Sequence, residues 1–269
     1  MNRIMQPVFI ALGIITTALT IGFCFQMEWA TGLWMWPDGR LTYIFIASIM
    51  AAIAAPVFWM GFTREWGAAT GGAINLLIQA GGSTLFLLQL SSLNQQPNLV
   101  LYAAAFGAFT LGNVVIFLWG RRHPVQDMRP VPRPVYYSFI VFVIVLVAVA
   151  IALLLRLPVV FPWPLKPETS VIIGWVFAGT AFYFSFPFLR SGWSNAQGQL
   201  LGFLAYDIIL IIPFIDHFRT VLPEHRLSLM IYTGVLVYSG LLAIYYLFIH
   251  KPTRLWLGKN RADFVQADE

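Results

Sequence analysis

Long apolar runs alternate along the chain with short polar intervals. Eight runs stand out, at residues 6–27, 41–61, 68–90, 99–120, 135–155, 170–189, 198–215 and 228–249. Each lies near the roughly 20 residues that carry a helix across a hydrocarbon core about 30 Å thick. Backbone groups in lipid must satisfy their own hydrogen bonds, and none of the runs has the alternation of a barrel strand of about ten residues. Each therefore predicts a membrane-spanning helix, and the expected fold class is all-α and polytopic. The third run is rich in glycine (Gly71, Gly72, Gly81, Gly82), and the seventh is short and contains Asp207 and Pro213, so their ends are the hardest to draw. The first run outlasts the apolar core of a signal peptide, about 7–15 residues, and no small-residue cleavage pattern precedes Glu28. A retained first span is the expectation.

Composition agrees: 59% of the 269 residues are hydrophobic and 10% charged, against about 25% charged in soluble domains. That excludes a soluble enzyme, a disordered chain and a nucleic-acid-binding arm. The single cysteine, Cys24, cannot close an intramolecular disulfide, and no Cys/His spacing suits zinc, so neither metal nor cofactor is expected. The formal charge of +5 is explained by topology. With the N-terminus inside, the inner segments hold Arg3, Arg64, Arg121, Arg122, Arg129, Arg133, Arg190, Lys251, Arg254, Lys259 and Arg261. The outer loops hold Arg40, Arg156, Lys166, Arg219 and Arg226. By the positive-inside rule both termini are cytoplasmic. Trp29, Trp34, Trp36 and Trp163 then fall near the outer interface, and Trp59, Trp66, Trp119, Trp193 and Trp256 near the inner one, as aromatic belts.

The chain also repeats itself. Pro7-Val8-Phe9 and Trp36-Pro37 return as Pro134-Val135-Tyr136 and Trp163-Pro164, both displaced by 127 residues. Pro56 matches Pro187, and Gly67 and Gly71 match Gly198 and Gly202, at 131; Gly112 and Pro124 match Gly240 and Pro252 at 128. Residues 1–127 and 128–269 read as two four-helix repeats, the second with a short cytoplasmic tail. An even number of spans per repeat makes the halves parallel, related by an axis along the membrane normal, with a cleft between them as the first place to look for a ligand. The segments around Trp36-Pro37 and Trp163-Pro164 read as interfacial straps on the outer side that fix the next helix. The inner segment 121–134, rich in arginine and proline, reads as an extended linker whose arginines approach anionic headgroups. The tail from Lys251 reads as a surface or docking segment.

The stretch Trp36-Pro37-Asp38-Gly39-Arg40-Leu41-Thr42 resembles loops in uncharacterised bacterial multi-pass membrane proteins. The resemblance implies a bacterial cytoplasmic membrane and carries no activity. The second copy departs from it, reading Pro164-Leu165-Lys166-Pro167-Glu168-Thr169. In repeat length the chain is also similar to the duplicated membrane-embedded lycopene cyclases, but it lacks the paired glutamates beside the proline motif, so that activity is not carried over.

Asp207 is the one Asp, Glu, Lys or Arg inside the eight runs, and an intramembrane ionisable group is a functional hypothesis by default. Its own helix face, with Phe203, Leu204, Leu210, Ile211 and Phe214, offers no partner. Two readings stay open: a carboxyl for proton-coupled transport, or an acid hydrogen-bonded to a Ser, Thr, Tyr or Asn of a neighbouring helix. Asn75 and Gln79, one turn apart on the third run, and Asn113 on the fourth complete the candidate substrate-binding set with Asp207; interhelical hydrogen-bond glue is the alternative. The paired glycines of the third run read as close-packing positions, since no P-loop follows them. His123, His217, His225 and His250 fall in loops or at span ends and read as surface residues. No nucleophile elbow, acid/base pair or aspartate-rich metal motif is present, so no catalytic residue is assigned. Pro56 and Pro187 each free a backbone carbonyl one turn earlier, making a matched pair of possible kinks or hinges.

Three functions fit this reading. The first is a non-catalytic membrane-embedded or accessory subunit, partnered by the lipid bilayer and by other membrane subunits. The second is a small transporter of a weakly polar or lipid-like solute through the cleft. The third, with least support, is an intramembrane lipid or isoprenoid enzyme.

Overall fold

The computed structural model describes residues 2–94, 98–190 and 192–255, and these form an all-helical bundle. Eight helices are long and apolar enough to cross a membrane, as in a multi-pass membrane protein. They are α1 (Asn2–Cys24), α2 (Arg40–Thr63), α3 (Ala69–Asn94), α4 (Asn98–Gly120), α5 (Arg133–Leu154), α6 (Pro167–Leu189), α7 (Trp193–His217) and α8 (Arg226–Ile244). One helical turn, Glu28–Thr31, follows α1, and a π-helical turn, Tyr245–Ile249, ends α8. Trp256 and the basic residues after it lie outside the described residues.

The seventh helix begins five residues earlier than its apolar run. Gly192 has φ +137°, a conformation open to glycine, and starts α7 at once. Trp193, Ser194, Asn195 and Gln197 are therefore buried helical residues rather than loop. α1 and α5 end alike: Met27 N–H reaches Gly22 C=O at 2.8 Å and Leu157 N–H reaches Ala152 C=O at 2.9 Å. Gln26 and Arg156 supply the left-handed residue of these Schellman-type caps.

Packing divides the helices into two classes. α1 packs on α2, α3 on α4, α5 on α6 and α7 on α8; α2 also packs on α7, and α3 on α6. The windows of α2, α3, α6 and α7 are the more buried, leaving α1, α4, α5 and α8 around them. Where these helices meet, the tryptophans turn inward. Trp59, Trp66, Trp119, Trp163 and Trp193 are all buried, whereas Trp29 is exposed. Phe9, Trp66 and Trp119 form one aromatic cluster, with ring centroids 5.3–6.1 Å apart. The aromatic-belt expectation thus fails for these five, because a large ring fills the gaps between crossing helices as readily as it sits among headgroups.

At one face, the linker face, residues 121–132 are part of the bundle rather than a free extended tether. Val125 and Asp127 are buried. Gln126 donates its backbone N–H to Glu65 Oε1 (2.6 Å) and its side-chain amide to Arg64 C=O (2.8 Å). Arg190 Nη2 donates to His123 C=O (2.6 Å), and Asp127 N–H to Ser194 Oγ (3.2 Å). Arg129 pairs with Asp127 at 2.6 Å and also donates to Pro252 C=O, so its head is tied to the bundle while its side chain stays partly exposed; Arg121, Arg122 and Arg133 are exposed.

At the opposite face, the strap face, the two Trp-Pro segments interlock. Asp38 accepts from Thr42 Oγ1 and from Thr169 Oγ1, both at 3.0 Å. Trp163 Nε1 donates to Thr42 Oγ1 (3.0 Å), and Lys166 Nζ to Pro37 C=O. The second strap is no surface band. Its Phe161 and Trp163 are buried in a core with Phe45, Phe177, Leu210 and Phe214.

Candidate functional site

A cavity of about 420 Å³ lies within the bundle, lined by α2, α3, α5, α6, α7, α8 and the second strap. α1 and α4 contribute nothing to it. The size falls in the usual range for small-molecule sites, about 300–1,000 Å³. Its wall is mostly apolar, with Phe45, Phe142, Phe177, Phe184, Phe203 and Tyr206 among the aromatic members.

The proline of α6 prepares one polar position. Pro187 has no N–H for the Tyr183 carbonyl one turn earlier, and Gln199 Nε2 of α7 donates to that carbonyl at 2.5 Å. A carbonyl can only accept, so the amide orientation follows from the chemistry. Gln199 Oε1 is then left with no hydrogen-bond partner among the described residues. The equivalent carbonyl freed by Pro56 is that of Ala52, another cavity residue, and it faces Gly202: a Cβ there would lie 3.0 Å from Ala52 O.

Asp207 stands near the middle of α7, buried, and lines the same cavity. Ser239 Oγ of α8 lies 2.9 Å from Asp207 Oδ2 and 2.8 Å from Val235 C=O. One hydroxyl has one proton to give. Ser239 shares that proton between Asp207 Oδ2 and the Val235 carbonyl of its own helix. Asp207 Oδ1 has no partner among the described residues, and neither has Tyr232 Oη. The neighbouring-helix partner expected for Asp207 is thus present on one oxygen and absent on the other.

Asn75 and Gln79 also line the cavity. Gln79 Nε2 donates to Asn75 Oδ1 at 2.6 Å, and Gly179 of α6 sits so close that a Cβ there would lie 2.4 Å from Asn75 O. Asn113 does not join them. It is buried elsewhere, donates to Phe109 C=O of its own helix at 2.9 Å, and is absent from the cavity wall. Of the four candidates, three share the cavity. Gln199, Tyr183, Tyr232 and Ser239 are among the other polar members of its lining; each interrupts an apolar run in the sequence, a signal that was available and that charge alone obscures.

The glycines of α3 divide in the same way. A Cβ at Gly82 would lie 2.0 Å from the Trp175 ring and one at Gly71 would lie 3.1 Å from Phe186, whereas nothing approaches Gly72 within 4 Å. Close packing explains the first two and not the third.

The second strap roofs the cavity through Val159 and Val160, and three side chains hold its consecutive carbonyls. Ser228 Oγ donates to Val160 C=O (2.7 Å), His225 Nδ1 bonds Phe161 C=O (2.7 Å) and His217 Nε2 bonds Pro162 C=O (3.1 Å). His225 is buried rather than a surface residue. The remaining two histidines also have partners: His123 Nδ1 bonds Trp119 C=O (3.0 Å), and His250 Nδ1 bonds Thr253 Oγ1 (2.7 Å). Among the described residues, no three His, Cys, Asp or Glu gather as a metal site.

No protein-family model, curated protein or solved structure matches this chain. The site is read from its own chemistry.

Proposed function

We propose that the protein is an intramembrane carrier that takes a weakly polar, lipid-like solute into the cavity between two four-helix repeats. The observation that carries this reading is the cavity itself. It combines a largely apolar wall with buried polar atoms that find no partner among the described residues, and unsatisfied buried polar groups of that kind call for an explanation.

Duplication is the second part of the reading, and the packing supports it. Exchanging the halves turns the α3–α6 seam into the α7–α2 seam. It also turns the Gly71 contact with Tyr183 into the Gly202 contact with Ala52, each residue displaced by 131. Parallel repeats meeting at two equivalent seams, each beside a helix-interior proline, suit a rocking motion about Pro56 and Pro187. The loop charges favour a cytoplasmic linker face, and the resemblance of the Trp36-Pro37 loop is what suggests a bacterial cell membrane.

The test is flux. In proteoliposomes loaded with a pH-sensitive dye, weakly polar and single-chain lipid probes are expected to move protons with the solute through the unaltered protein. Asp207→Asn, whose amide still reaches Ser239, is expected to fold normally and to lose that pH-dependent flux. Undiminished flux in the variant removes Asp207 from the mechanism. No flux at all, together with migration as part of a larger complex in mild detergent, returns the accessory-subunit reading.

A further inference from the structure

The cavity is selective in what it leaves unsatisfied. Among the described residues its lining contains no Lys, Arg or His; the ionisable groups facing it are the carboxyls of Asp207 and Glu224 and the phenols of Tyr183, Tyr206 and Tyr232. Among the described residues three lining atoms lack a partner: Gln199 Oε1 and Asp207 Oδ1, oxygens that accept, and Tyr232 Oη, which accepts as well as donates. An anionic headgroup would meet carboxyls and no counter-charge in a medium of low dielectric, which is strongly unfavourable. A headgroup that donates hydrogen bonds fills what the protein leaves open.

The wall also has a side entrance. Val145 of α5 and Leu227 and Ile231 of α8 line the cavity and are at the same time exposed on the outer surface of the bundle. α5 and α8 are bridged further toward the linker face, by Ser138 Oγ with Tyr238 Oη (2.6 Å) and by Phe142 against Tyr238. The opening therefore lies in the strap-side half and faces the hydrocarbon of the bilayer. Gln199 lies six residues into α7 from the linker face, so the polar positions extend deep below the opening.

We infer that the ligand is a single-chain amphiphile whose head is an uncharged hydrogen-bond donor, a hydroxyl or a carboxamide, and which enters sideways between α5 and α8. Its head reaches Asp207 Oδ1 and Gln199 Oε1, and its chain trails past Val145 and Ile231 into lipid. This deepens the carrier reading and rests on it for the cavity being a binding site.

Photolabelling in nanodiscs tests it without needing transport. Three probes of equal chain length, each with a diazirine in the chain, end in an alcohol, a carboxamide or a carboxylate. The alcohol is expected to label α5 and α8 lining residues, to be displaced by unlabelled alcohol or carboxamide, and to be indifferent to the carboxylate. Gln199→Leu is expected to weaken labelling about tenfold, the loss of one good hydrogen bond. Ile231→Trp changes an exposed residue that the fold does not depend on, and is expected to block labelling by filling the entrance. Equal displacement by the carboxylate overturns the headgroup assignment. Undiminished labelling in both variants overturns the route and the anchor. Labelling as expected without any flux leaves this inference standing and sinks the carrier; flux with carboxylate-tolerant labelling does the reverse.

Discussion

A single carboxylate couples the two halves at the strap face. Asp38 receives hydrogen bonds from Gly39 N–H (2.7 Å) and from two threonines, Thr42 and Thr169, that stand 127 residues apart, the spacing of the two Trp-Pro motifs. Thr42 in turn receives Trp163 Nε1. Hydrogen bonds to a charged acceptor are the stronger kind, and Asp38 is half-buried. Asp38→Ala is expected to lower stability by about 1–3 kcal/mol, read as an earlier thermal unfolding in detergent. Asp38→Asn keeps an acceptor and offers Nδ2 to the Thr169 hydroxyl, so it is expected to lose less. Asp207 was legible as a site residue because charge inside an apolar run is conspicuous. Gln199 was not, although its amide does as much for the cavity: its importance depends on a carbonyl that Pro187 frees on another helix. Asn113 carried the same sequence signal as Asn75, yet its amide is satisfied within its own helix. Polarity in an apolar run marks a residue that needs a partner and does not say which partner it finds.

Among the elements, the second strap carries the most structure for its length. Its backbone has no helical or sheet partner, so its carbonyls depend on side chains to be satisfied, and Ser228, His225 and His217 meet three in a row. Because Val159 and Val160 also roof the cavity, this clamp sets whether the chamber is closed on that side. His225→Ala and Ser228→Ala each remove one bond, about 1 kcal/mol, and are expected to speed amide exchange in residues 157–163 about fivefold. Exchange in the α3–α6 seam is expected to stay unchanged, which separates strap opening from global loosening. The straps were visible as elements from Trp and Pro alone. That the second folds inward while Trp34 and Trp36 of the first stay half-exposed depends on the partners each finds among the neighbouring helices.

For the whole molecule, topology is the property most open to direct measurement. In a Cys24→Ser background, single cysteines replacing Arg122 at the linker face and Leu33 at the strap face, both exposed, are expected to react with impermeant thiol reagents from opposite sides of the membrane. The Arg122→Cys site is expected to be reached from the cytoplasm, following the excess of Lys and Arg on that face. The number of spanning helices and the order of turns were readable from the chain, because burying a backbone in hydrocarbon requires about 20 apolar residues in helix whatever the helix later packs against. The matched spacings of proline, glycine and tryptophan were readable for the same reason, being properties of order along the chain. Which helices form the central four, why five tryptophans face inward, and that Asp207, Gln199 and Asn75 share one chamber while Asn113 does not were decided only by tertiary structure. Lipid and protein interior are nearly equally apolar, so hydrophobicity cannot tell a helix which of its faces will meet a neighbour. That choice falls to close approaches such as Gly82 against Trp175 and Gly202 against Ala52, and to the hydrogen bonds that polar residues complete across them.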